Sequence, residues 1–154
     1  MAHLSGDESL ISALNNGEDI HTFTAKNIFN VDNDDMVLPE MRRIAKIVNF
    51  GIMYGAGPFR LSQELDIPFG EAKQIKDAYF EKYQGIEQYI ENSKLQIKET
   101  KSVETLLGRK RAVWDSDSQN KIRRDAAERM AINMPIQGTA AVSYTHLTLP
   151  TINW

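Results

Sequence analysis

Pro39-Glu-Met-Arg-Arg-Ile-Ala-Lys-Ile-Val-Asn-Phe-Gly-Ile-Met-Tyr-Gly55 decides how the rest of the chain is read. Taken as a helix, the stretch spaces Arg42, Lys46, Phe50 and Tyr54 four residues apart. A step of four turns about 400°, so each side chain lies roughly 40° from the last on a slowly drifting stripe. Ile44, Ala45, Ile47, Val48 and Ile52 take up much of the remaining surface. Pro39 suits the first helical turn, where its missing N–H costs nothing. Gly55 suits a C-terminal cap. The stripe runs cation, cation, aromatic, aromatic over about 18 Å. Two cations can hold a polyphosphate, and two rings beyond them can pack on a sugar and a base. The same spacing also suits a solvated basic face with core aromatics, and spacing alone leaves both readings open.

The full string Arg42-Arg43-x-x-Lys46-x-x-Asn49-Phe50-Gly51-x-x-Tyr54-Gly55 resembles motif B of the family A DNA polymerases, the bacterial polymerase I type. In that family the motif lies on the fingers helix that binds the incoming deoxynucleoside triphosphate (dNTP). The resemblance implies that Arg42 and Lys46 contact its phosphates. It implies that Phe50 stacks near the base and sugar, and that Tyr54 sits by the templating base. It further implies a catalytic role for Lys46, as proton donor toward the pyrophosphate.

Other stretches extend the resemblance. Met1-Ala-His-Leu-Ser-Gly-Asp7 is similar to the family segment that comes directly after motif A. Asp19-Ile-His21-Thr-x-Thr-Ala25 is similar to a family pattern whose His reaches the nucleotide phosphates. By itself His21 is an ordinary helix-surface histidine. Arg129, Asn133 and Gln137 form a second stripe of interval four. Amide side chains can meet the acceptors that the DNA minor groove offers at every base pair. A solvated face has the same spacing. Glu128-Arg-Met-Ala-x-Asn-Met-Pro-x-Gln-Gly-Thr-Ala140 resembles the family helix that touches the primer–template near the growing end. The resemblance makes Arg129, Asn133 and Gln137 DNA-binding. Arg109, Lys110, Arg111, Lys121, Arg123 and Arg124 add positive charge that suits phosphate contacts.

The chain has 154 residues, 42% of them hydrophobic, enough for one modest core. A whole template-directed polymerase needs several times that length, so a piece of a larger protein is expected. The net charge of −3 lacks the basic footprint of an independent DNA-binding domain. Without cysteine, disulfides and thiolate metal sites are excluded. No apolar run approaches the ~20 residues of a membrane span, and no signal peptide is recognisable. No membrane association is expected, and a cytoplasmic location is the default.

Local signals predict a mainly α fold with a short β-hairpin. Asp7 or Ser9 caps a first helix through Leu14, and a second runs from Asp19 to Phe29. Val31–Asp35 reads as an acidic connector. Further helices are expected around Phe59–Leu65, near 70–83 and 86–99, joined at Gly85. Val103–Leu107 and Arg109–Trp114 read as two strands around Gly108. A last helix runs from about Ser118 to Asn133, and Pro135 is expected to kink or end it.

The resemblance covers Met1–Ala141 and implies the fingers subdomain plus part of the palm of a right-hand polymerase fold. Val142-Ser-Tyr-Thr-His-Leu-Thr-Leu-Pro-Thr151 departs from the family and looks like translated sequencing adapter. Residues 142–154 are therefore expected to be a non-native tail. Two-metal phosphoryl transfer needs carboxylates that hold two ions about 3.5–4 Å apart. In the family these are aspartates of motifs A and C, expected just before Met1 and beyond Ala141. Asp7, Asp19, Asp115 and Asp117 match neither motif. Mg²⁺ is expected in the parent, with no ligand here, and the isolated fragment is expected to be inactive. The expected function is that of a DNA-directed DNA polymerase fragment serving replication or repair. Its partners would be primer–template DNA and dNTPs, in a monomeric parent. The alternative is a non-catalytic helical module that binds nucleic acid or polyphosphate through the same stripes.

Overall fold

Aspartate caps start two helices of the first half, and a proline in the first turn opens two more. In the computed structural model the backbone is described for residues 1–152 and the side chains for residues 1–141. The chain divides into two units, Met1–Tyr89 and Ile90–Trp154.

The first unit opens with a single turn, α1 (Ala2–Ser5), which local sequence signals do not predict. Asp7 caps α2 (Glu8–Asn15), accepting from the Leu10 N–H at 2.9 Å. Asp19 caps α3 (Ile20–Phe29). The acidic connector holds a 3₁₀ turn at Asp34–Met36, and Asp34 pairs with Lys26 at 2.7 Å. The decisive stretch forms α4 (Pro39–Met53), with Pro39 in its first turn and Tyr54 at its C-cap. Gly55 comes next at φ 73°, the left-handed position that ends such a helix. Then come α5 (Pro58–Leu65), α6 (Phe69–Lys82) and α7 (Gln84–Thr100), the last running across the boundary between units.

In this unit α3 packs along α4 and α6, and α5 packs against α4 and α6. Ala25, Ala45, Val48, Ile52, Leu61 and Ile86 are fully or almost fully buried. Gly51 permits the α4–α5 approach: a Cβ there would stand 2.9 Å from Leu61 Cδ2. Tyr79 and Tyr83 pack ring on ring at 4.8 Å, and Phe23 lies 6.3 Å from Tyr83.

The second unit is built on an antiparallel hairpin. β1 (Ser102–Glu104) pairs with β2 (Lys110–Ala112), with Val103 opposite Arg111. Both strands are shorter than the sequence suggests. The Thr105 hydroxyl accepts from the Arg109 N–H at 3.1 Å and closes the turn early, while Trp114 enters a 3₁₀ turn at Trp114–Asp117. Ile97, Val103, Val113, Ala127 and Ala131 form the core, with Met130 and Met134 against it.

The final helix, α8 (Lys121–Ile152), corrects an expectation: it does not end at Pro135. Proline removes one helical hydrogen bond, to Ala131 here, and crowds that carbonyl. Packing on both sides outweighs the local cost. Ala131, Ile132 and Ile136 are buried. Beyond the proline, the Thr139 hydroxyl accepts from the Leu106 N–H at 3.1 Å, tying α8 to the hairpin. The helix begins at Lys121 rather than Ser118, with the Asn120 side chain accepting from the Ile122 N–H at 2.9 Å. The expected non-native tail, residues 142–154, lies outside the residues whose side chains are described.

Candidate functional site

The inner face of α4 determines what its outer face presents. Ala45, Val48, Gly51 and Ile52 are buried. By helical geometry Arg42, Lys46, Phe50 and Tyr54 then turn outward, and all four are exposed. Phe50 and Tyr54 keep 43% and 44% of their surface in solvent, less than Phe59, Phe69 and Trp114 elsewhere, and rings so exposed are available to stack on a ligand.

α3 supplies the neighbours. Asp19, at its N-terminus, holds the Arg42 guanidinium by two contacts, Nε to Oδ2 at 2.7 Å and Nη2 to Oδ1 at 3.2 Å. The same carboxylate accepts from the Thr22 hydroxyl at 2.6 Å and the Thr22 N–H at 3.3 Å. Donation from Arg42 and then Thr22 holds the Asp19 carboxyl far below the usual carboxylate range. Two residues after Asp19, the His21 ring lies 5.9 Å from Phe50, tilted by 40°. Burial lowers the His21 pKa below 6.5; the charges of Arg42 and Lys46 lower it further, against an upward pull from Asp19. These influences together favour the neutral ring.

Behind this face runs a chain of hydrogen bonds. Asn49 Nδ2 lies 3.0 Å from His21 Nδ1. Asn49 Oδ1 accepts from the Thr24 hydroxyl at 3.2 Å, and Thr24 Oγ1 lies 2.9 Å from the Tyr83 hydroxyl. Thr24 and Tyr83 are essentially buried, and burial pushes the Tyr83 phenol up to about 12.

Of the predicted residues, His21, Arg42, Lys46 and Phe50 are thus gathered where α3 meets α4, with Tyr54 at the C-cap of the same helix. Arg129, Asn133 and Gln137 lie on α8 in the other unit. Arg129 and Asn133 are half-buried and Gln137 is exposed, on a helix whose Ala127, Ala131 and Ile136 are buried. Asp19, Thr24, Asn49 and Tyr83 were not among the predicted site residues. Asn49 carried one local signal: asparagine is a poor helix former, yet it sits deep inside a strong helical pattern. Among the described residues, no group of three or more His, Asp or Glu side chains is placed to hold a metal ion. The Mg²⁺ expected for the parent therefore has no fitting ligand set here. No helix among the described residues is long and apolar enough to cross a membrane.

The family model for DNA polymerase family A matches residues 1–147. The chain belongs to that family. A thermostable DNA polymerase I from Thermus aquaticus is 49% identical over 141 residues, which are 92% of this family A chain and 17% of that protein. DNA polymerase I of Lactococcus lactis is 45% identical over 141 residues, 92% of this chain and 16% of that one. Among solved structures, the POL domain of Pol1 from M. smegmatis, in complex with DNA primer–template and dNTP, is similar with a TM-score of 0.85. It shares 43% identity over 91% of this chain and 24% of its own. This family A chain thus spans about a sixth of the length of the curated relatives it matches. Its helices and hairpin agree with fingers and partial palm of a right-hand polymerase fold.

Proposed function

We propose that this chain is the nucleotide-binding part of a DNA-directed DNA polymerase that extends a primer in replication or repair. The observation that carries this reading is the exposed stripe Arg42–Lys46–Phe50–Tyr54 with His21 against Phe50. Its cationic end lies in the N-terminal half of α4, where the helix dipole also favours anions. Arg42, Lys46 and His21 would bind the triphosphate of an incoming dNTP, and Phe50 would stack by its base and sugar. Tyr54, beyond the rings at the helix C-cap, would meet the templating base. Lys46 would also donate a proton toward the departing pyrophosphate. On α8, Arg129, Asn133 and Gln137 would contact primer–template DNA. The complete polymerase would be a monomeric cytoplasmic enzyme whose Mg²⁺ ligands are supplied by residues other than those described here.

Charge-assisted hydrogen bonds set the scale of the test: losing one costs roughly 10- to 150-fold. In the complete polymerase, Lys46→Ala is expected to lower kcat/KM by at least the smaller factor, with kcat falling more than nucleotide affinity. Arg42→Ala is expected to act mainly on affinity. Single-turnover rates and nucleotide affinities for both variants decide the matter. A solvated cationic face predicts near-wild-type values for both, and that result would remove the reading.

A further inference from the structure

Asn49 has no assigned role, yet its side chain joins the face of the site to the buried interior. One end of the amide meets His21 and the other meets Thr24 (3.0 Å and 3.2 Å), and Thr24 meets Tyr83 at 2.9 Å. A hydroxyl has one proton to give. Thr24 donates it to Asn49 Oδ1, so the Tyr83 phenol donates into Thr24 Oγ1. The amide then presents its NH₂ to His21, and His21 Nδ1 must accept. A neutral imidazole carries a single N–H, so that proton sits on Nε2.

We propose that Asn49 is a positioning residue: through the Tyr83–Thr24–Asn49 chain it fixes His21 as the Nε2–H tautomer, so that the ring offers a neutral N–H donor to an anionic ligand. The statement that this ligand is a polyphosphate rests on the nucleotide-binding reading above. The hydrogen-bonded chain and its distances do not; the preference for this sense of the amide over its reverse does.

The chemistry favours this sense of the chain. With the amide turned over, His21 would donate from Nδ1 and leave a bare lone pair on Nε2. A lone pair repels phosphate oxygens, whereas an N–H binds them. The charged groups acting on the ring are Asp19 on α3 and Arg42 and Lys46 on α4, and burial with the two cations keeps the ring neutral. At the buried end, burial raises the Tyr83 phenol to about 12, so it keeps its proton through the working range and is able to donate to Thr24; the Asn27 side chain also meets it. Asn49 therefore sets the donor pattern of a residue one helix away without touching the ligand.

The test uses the ¹⁵N-labelled 154-residue chain and long-range ¹H–¹⁵N NMR near pH 8, where the ring is neutral. His21→Gln identifies the His21 signals. The expected result is an unprotonated Nδ1 and a protonated Nε2, with scalar coupling across the Asn49 Nδ2–H···Nδ1 hydrogen bond. Asn49→Asp places a carboxylate at Nδ1. It is expected to draw the proton to Nδ1 and to raise the His21 pKa by about one unit or more. If Asn49→Asp does not fold, the coupling in the unmodified chain and the tautomer in Thr24→Val, where the amide loses its anchor and tautomer purity falls, carry the test. A wild-type ring protonated on Nδ1, or a tautomer indifferent to both substitutions, would overturn the proposal. Titration with inorganic tripolyphosphate separates the two readings. Expected tautomers with His21 signals that tripolyphosphate does not move would support the positioning role and sink the nucleotide-binding one.

Discussion

Asp19 grips Arg42 with both carboxylate oxygens, Oδ2 at 2.7 Å from Nε and Oδ1 at 3.2 Å from Nη2. The two residues lie 23 positions apart, and the contact ties the N-terminus of α3 to the first turns of α4. The fork that meets a carboxylate in this way is the one that meets a phosphate. If Arg42 binds a nucleotide phosphate as proposed, Asp19 and that phosphate would compete for the same guanidinium.

That competition gives a sign. Asparagine caps helices about as well as aspartate, so Asp19→Asn keeps α3 capped while removing the charge opposite Arg42. The affinity of the chain for inorganic tripolyphosphate is expected to rise a few-fold, the scale of an exposed ion pair. Isothermal titration calorimetry at low ionic strength measures it. A fall in affinity would mean that Asp19 aims Arg42 at the ligand instead of competing for it.

Asp7 does two tasks from a buried position, 3% exposed. It caps α2 through the Leu10 N–H and accepts from the Gly85 N–H at 2.9 Å, in the first turn of α7. Asp7→Ala is expected to cost on the order of 2–4 kcal/mol, from a lost cap and a lost charge-assisted bond. Gly85→Ala attacks the same junction, because its Cβ would stand 2.7 Å from the Asp7 backbone Cα. Urea midpoints for both variants check this, and unchanged midpoints would dismiss the junction as a stabilising element.

Gly138 serves the second unit in a similar way. A Cβ there would come within 2.7 Å of the Thr105 methyl, whose hydroxyl is committed to the Arg109 N–H. Alanine gains about 1 kcal/mol in helix propensity, and overpacking costs roughly 1–3 kcal/mol. Gly138→Ala is thus expected to lower stability slightly and to weaken amide protection in the hairpin. Hydrogen exchange at Thr105 and Arg109 reads the effect directly; stabilisation with unchanged exchange would contradict it.

Stability is expected to fall at both ends of the pH range. The folded chain lowers the His21 pKa below 6.5, so under acid the unfolded state binds the proton first. This contribution is full above pH 6.5 and is lost as pH falls through the folded pKa. At the alkaline end the Tyr83 phenol ionises near 10.0 when unfolded and at about 12 when folded. Its contribution is full below pH 10 and is lost between 10 and 12. Denaturation curves across pH, compared with His21→Gln, test the acid limb: the variant should show a shallower loss below pH 6.5. Tyrosinate absorbance rising together with unfolding tests the alkaline limb.

What the sequence determined by itself was local. Pro39, Asp7 and Asp19 start helices because caps and first turns are set within a few residues. The stripe Arg42–Lys46–Phe50–Tyr54 was legible because helical periodicity alone puts the four on one face. The hairpin was legible from its turn, though not its strand ends, which a Thr105 side-chain bond decides. Tertiary structure decided what those residues touch. Asn49 reaches His21 and Thr24 across 28 and 25 positions, and Thr24 reaches Tyr83 across 59. Arg42 reads as a free cation until α3 brings Asp19 to it. Pro135 reads as a helix end until the hairpin packs on α8 beyond it, through Thr105 against Gly138 and Leu106 on Thr139. Local periodicity and capping act over one or two turns of chain. Hydrogen-bond partners, and the donor pattern they impose, depend on which helices pack together, and that depends on burial distributed along the whole unit.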